Sequence, residues 1–99
     1  MRRGTTPIHT FRPDADLSAA TVLYITYQQR GETVLEKALE DVTVTEEAVT
    51  VALTQAETLL FTLAQPVRVQ IRAGFSDGTR IASNILTVGV DEILKEGEI

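Results

Sequence analysis

The chain has 99 residues, 9 basic and 14 acidic, for a formal net charge of −5. That length holds one modest core and excludes a multidomain enzyme, while 43% hydrophobic and 23% charged residues exclude wholesale disorder. The absence of Cys excludes a disulfide framework, a thiolate zinc site and a cysteine nucleophile.

Charge is uneven along the chain. Arg2, Arg3 and Arg12 make the first dozen residues cationic, and Asp91, Glu92, Glu96 and Glu98 outweigh Lys95 in the last nine. Such ends are either solvated tails or complementary surfaces that meet neighbouring copies head to tail. An overall cationic footprint for phosphate binding is missing. Arg2 and Arg3 precede no apolar run, so they do not form a signal sequence. The longest uncharged stretch, 17–29, falls short of the roughly 20 apolar residues of a membrane helix. The reading is a cytoplasmic product, or one assembled there into something larger, without a membrane partner.

Thr, Val and Ile make up nearly a third of the residues. Their restricted χ1 favours the pleated surface. The first strand is expected over 6–11, ended by Arg12-Pro13-Asp14, since Pro cannot donate to a ladder. The second, 21–28, places Leu23, Ile25 and Tyr27 on one face and Val22, Tyr24 and Thr26 on the other. Tyr24 is expected largely buried and Tyr27 nearer the surface. A tight connection at Gln29-Arg30-Gly31 leads into a strand over 32–38. Short alternating segments at 42–44 and 48–53 follow, the latter turning Val49, Val51 and Leu53 inward.

Thr54-Gln55-Ala56-Glu57 then matches a capping box. It predicts one helical turn over 55–60 that crosses between two sheets. Pro66 opens a strand over 67–75, with Val67, Val69, Ile71 and Ala73 alternating with Arg68, Gln70 and Arg72. Asp77-Gly78 marks a hairpin turn. In the last strand, 80–90, the apolar parity slips between Ile81 and Leu86, which predicts a bulge near Ser83-Asn84. The acidic stretch 91–99 reads as a tail, with a helical turn around Ile93-Leu94. The expectation is an all-β fold: an immunoglobulin-like antiparallel β-sandwich of about seven strands over 1–90, with one short crossover helix.

Site chemistry is thin. His9, the one histidine, has no G-x-S-x-G partner. Asp14-Ala15-Asp16 is a fragment of a calcium loop without its distal bidentate Glu. Neighbouring acids at 40–41 and 46–47 would point to opposite strand faces and are explained by turns. The isolated glycines build no phosphate cradle. The reading is therefore not an enzyme, with no catalytic residue, no cofactor and no metal. Arg68 and Arg72 line the outer face of their strand. In an immunoglobulin-like order Glu32 or Glu36 would pair with them across the ladder; otherwise they form a stripe that docks an acidic partner. Too few aromatics accompany them for an oligonucleotide platform.

Three segments carry a resemblance: Arg2-Arg3-Gly4-Thr5-Thr6-Pro7 with Thr10-Phe11; Val51-Ala52-Leu53-Thr54-Gln55-Ala56-Glu57-Thr58 with Phe61; and Val69-Gln70-Ile71-Arg72 with Asp77-Gly78, Ser83-Asn84-Ile85 and Val88. Together the chain resembles a family of small, uncharacterised prophage proteins. More distantly it is similar to the immunoglobulin-like N-terminal domain of phage baseplate upper proteins. The resemblance implies a virion-associated structural protein, related to tail or baseplate, made in the host bacterial cytoplasm and then carried in the virion. It implies protein–protein interaction with itself, as a homo-oligomer, or with a tail or baseplate component; the acidic charge balance and the few aromatics point to no nucleic-acid partner. Candidate interaction residues are Arg2, Arg3, Arg68, Arg72, Ile93 and Leu94. The alternative is a carbohydrate- or peptide-binding module on the same scaffold.

Overall fold

Period-two alternation sorts the side chains into two layers. The computed structural model describes residues 1–99. Its strands are β1 (Ile8–Phe11), β2 (Val22–Gln29), β3 (Glu32–Ala38), β4 (Thr43–Val44), β5 (Val49–Ala52), β6 (Val67–Gly74), β7 (Arg80–Ala82) and β8 (Leu86–Val88). One antiparallel sheet has the order β1-β5-β4. The other runs β3-β2-β6-β7, with β8 also pairing β6. The protein is thus an all-β sandwich. A single α-helical turn, α1 (Gln55–Thr58), connects the two sheets.

Inward positions supply the core. Leu23, Ile25 and Tyr27 of β2 meet Val67, Val69, Ile71 and Ala73 of β6, with Val49 and Val51 of β5 opposite. Leu17, Leu53 and Phe61 complete the buried cluster. Each fully buried aliphatic or aromatic side chain of this kind contributes about 1.5–3 kcal/mol.

Local chemistry sets the connections. Arg30 (φ 53°) and Gly31 (φ 77°) form the two-residue loop with both central residues left-handed that suits the twist of a hairpin. Register then shifts after Tyr27, which faces Leu35, while Gln28 faces Thr33. The capping box is complete: Glu57 N–H donates to Thr54 Oγ1 at 3.1 Å, and Thr54 N–H to Glu57 Oε1 at 2.9 Å. At the Asp77-Gly78 turn, Phe75 and Thr79 bond across the hairpin and Asp77 Oδ1 accepts from Thr79 N–H.

The bulge near Ser83-Asn84 divides one ribbon into β7 and β8. Arg72 faces Ala82 on one side of it and Val69 faces Leu86 on the other, so the ribbon carries one extra residue. Ser83 fills the gap. Its N–H donates to the Ile71 carbonyl at 2.8 Å, and its hydroxyl accepts from Ile71 N–H at 3.0 Å. The ribbon changes its inward parity without leaving this β6 amide unpaired.

Three expectations need correction. First, β3 does not lie beside β6; β2 separates them, so the ladder offers Glu32 and Glu36 no place next to Arg68 and Arg72. Second, the tyrosines exchange roles: Tyr27 is fully buried and Tyr24 is 44% exposed. Tyr27 shares the parity of Leu23 and Ile25, and its buried hydroxyl finds a partner in His9. Third, no helix forms around Ile93-Leu94. The tail instead lies along the N-terminal arm, where Arg2 and Asp91 form a parallel bridge.

Candidate interaction surface

Chemically versatile side chains mostly serve the fold. His9 Nδ1 lies 2.8 Å from the Tyr27 hydroxyl, and the Phe11 and Phe61 rings flank this pair edge-on. Burial holds the His9 imidazole below its ordinary pKa, and the amino-terminal charge adds to the effect. Burial pushes the Tyr27 hydroxyl up, reinforced by the Glu57 carboxylate. Both groups are therefore neutral near pH 7. Glu57 receives Lys37 Nζ at 2.5 Å. Burial raises its pKa, but the Lys37 and Thr54 hydrogen bonds together outweigh this and leave it below the usual carboxylate range. Asp16 Oδ1 accepts from the Ser18 N–H and hydroxyl, which lowers its pKa and engages this carboxylate in a turn over Asp16–Ser18. Asp41 likewise accepts from Ala38 N–H at 3.0 Å.

The oppositely charged ends meet within one molecule. The Met1 ammonium donates to the Gly89 carbonyl at 2.8 Å, and Asp91 N–H donates to Met1 O at 2.7 Å. Arg2 reaches the Glu92 carbonyl. Arg3 is the hub: Nε donates to Phe61 O at 2.8 Å, Nη2 to Leu59 O at 3.2 Å, and Nη1 to both Glu96 carboxylate oxygens. Gly4 (φ +69°) lets Ile93 pass, since a Cβ there would stand 2.8 Å from Ile93 Cδ1. Leu94 remains 94% exposed. Of the six candidate residues, Arg2, Arg3 and Ile93 thus belong to this clasp.

Arg68 and Arg72 lie elsewhere, on the outer face of β6. Cross-strand neighbours of Arg68 are Gln28 and Thr87; those of Arg72 are Tyr24 and Ala82. Both arginines are exposed, and neither forms an ion pair. Glu36, which β3 places opposite Thr26, accepts from the Thr26 hydroxyl at 3.3 Å. A depression of about 60 Å³ beside Arg68 is lined by Thr26, Gln28, Gln70 and Ile85.

A larger groove of about 280 Å³ opens where β1 approaches β7 and β8. Phe11, Leu17, Ile81 and Leu86 supply apolar walls, and Arg12, Asp14 and Asn84 a polar rim. Sequence reasoning missed this groove, because it depends on how two strands from different sheets approach each other. It also missed the Lys37–Glu57 pair: the two-residue loop alone would set Glu36 opposite the core residue Ile25, and the register shift after Tyr27 sets Lys37 there instead. Gln29, buried, is a third omission. Its amide donates to Thr62 O and Gln65 O at 2.9 Å each, and its Oε1 accepts from Thr62 N–H at 2.8 Å.

No family model, no curated protein and no solved structure matches the chain.

Proposed function

We propose that this chain is a non-enzymatic structural or protein-interaction module of a prophage, virion-associated and related to tail or baseplate. It is made in the host cytoplasm and carried in the virion. The observation that carries the interaction half of this reading is the outer face of β6. There two arginines stand without a carboxylate, while the imidazole and the phenol join the two sheets and Lys37 ties β3 to the crossover turn. The prophage half rests on the resemblance of the three sequence segments. No helix is long and apolar enough to cross a membrane.

Quantitative mass spectrometry of particles purified after prophage induction tests the reading. The chain is expected in fixed ratio to tail proteins. Its presence in the lysate but absence from purified particles would contradict the proposal.

A second reading has one observation in its favour. The groove of about 280 Å³, with apolar walls and an Arg12–Asp14–Asn84 rim, has the makeup of a small ligand site, as a carbohydrate- or peptide-binding module requires. A glycan array and a random peptide display screen, both without hits, would remove it.

A further inference from the structure

We propose that the outer face around Arg68 and Arg72 seats an extended acidic segment of a protein partner, whose carboxylates pair with the two guanidinium groups. This rests on the interaction-module reading and names the partner's chemistry.

Spacing is the first argument. Arg68 and Arg72 are four residues apart on one strand, with Gln70 between them on the same face, so they stand about 13 Å apart. An extended segment presenting two acids at i and i+4 has the same repeat. Binding the phosphates of a nucleic-acid strand draws on many cations, whereas this chain carries a net −5.

Unmet bonding capacity is the second. Arg68 and Arg72 take part in no ion pair and no side-chain hydrogen bond, and the Gln28 amide is equally unengaged. Guanidinium forks bind carboxylates in bidentate fashion. The 60 Å³ depression beside Arg68 places Gln28 next to that fork, with room for the end of a Glu or Asp side chain. Gln70, by contrast, is spent: its Nε2 donates to Ser83 O at 3.0 Å.

Composition is the third. Tyr24 and Ile85, 44% and 46% exposed, flank the arginines. Exposed Tyr and Arg with few Lys, Glu or Asp mark protein interfaces. The one acid on the face, Glu36, faces Thr26 and lies on the far side of β2 from β6.

The test is an NMR titration of the ¹⁵N-labelled full chain with the peptide acetyl-Thr-Glu-Val-Thr-Val-Glu-Thr-amide. A peptide with both Glu replaced by Gln and an oligothymidylate serve as controls. Expected are amide shifts confined to residues 24–28, 68–72 and 85–87. The Glu peptide should bind about tenfold more tightly than the Gln peptide, as two exposed ion pairs allow. Binding should weaken with salt and fall about tenfold in R68Q/R72Q, whose amide spectrum otherwise matches the parent. Equal response to the Gln peptide, shifts elsewhere, or tighter binding of the oligothymidylate overturns the proposal. So does a concentration-dependent shift of the same amides without peptide, which would make a second copy the occupant. The measurement needs no virion, so failure of the particle assay and failure of this one are read separately.

Discussion

Lys37 and Glu57 tie the edge strand β3 to α1, with Nζ and Oε2 2.5 Å apart and both side chains largely covered. Glu57 also closes the capping box on Thr54. One carboxylate therefore fixes the start of the crossover turn and its docking against the five-stranded sheet.

The sign of its pH dependence follows. Glu57 has a folded pKa below its unfolded value of 4.5. Its contribution is present in full above that value and is lost as pH falls through the lower folded pKa. Glu57→Gln keeps a side chain suited to the capping box but leaves the Lys37 ammonium unpaired. We expect a loss of about 1–2 kcal/mol at pH 7. The acid limb of the stability curve should be shallower than in the parent. Urea unfolding between pH 2.5 and 7 measures both.

His9 makes a separate prediction. Its folded pKa lies below 6.5 because burial and the nearby amino terminus disfavour the imidazolium. Stability from this residue is complete above 6.5 and is lost as pH falls from there through the folded value. An NMR titration of the imidazole should therefore show a midpoint below 6.5. Tyr27→Phe removes the hydroxyl that meets Nδ1 and should cost about 1 kcal/mol. A midpoint above 6.5 contradicts the geometry.

Arg3 and Glu96 separate a covered interaction from an exposed one. The Arg3 guanidinium satisfies the carbonyls of Leu59 and Phe61 at the end of the crossover segment, whereas Glu96 sits on its solvent side. Arg3→Ala should cost about 1–3 kcal/mol by leaving those carbonyls unpaired. Glu96→Gln should cost less than about 1 kcal/mol. Hydrogen exchange of the amides of Arg3 and Asp91 should accelerate strongly only in the first variant.

Gln29 holds the 62–65 segment by three hydrogen bonds. Gln29→Ala should destabilise by about 2–3 kcal/mol and raise exchange at Thr62. Little change in either would show that the amide is dispensable.

How much of this could be read in advance depended on the range of the signal. Local chemistry was legible: Thr54 and Glu57 announced the cap, Asp77-Gly78 the hairpin, and the parity slip from Ile81 to Leu86 the bulge. Burial within β2 was partly legible, since Leu23, Ile25 and Tyr27 share one face. A buried Tyr24 runs against that parity, since Tyr24 lies on the opposite face. Strand order was not legible, because alternation states which face is inward but not which strand is the neighbour. Pairing of Arg68 or Arg72 with Glu32 or Glu36 failed for that reason. The clasp was half legible: the opposite charges of the two ends were visible, but their meeting within one molecule depends on where β1 and β8 leave the sheets.

The most direct test of the account is the incorporation of R68E/R72E chain into particles, compared with the parent after prophage induction. Thermal unfolding and the amide spectrum establish that the variant is folded. A folded variant that is depleted from purified particles is expected. Incorporation at the parental level would contradict it.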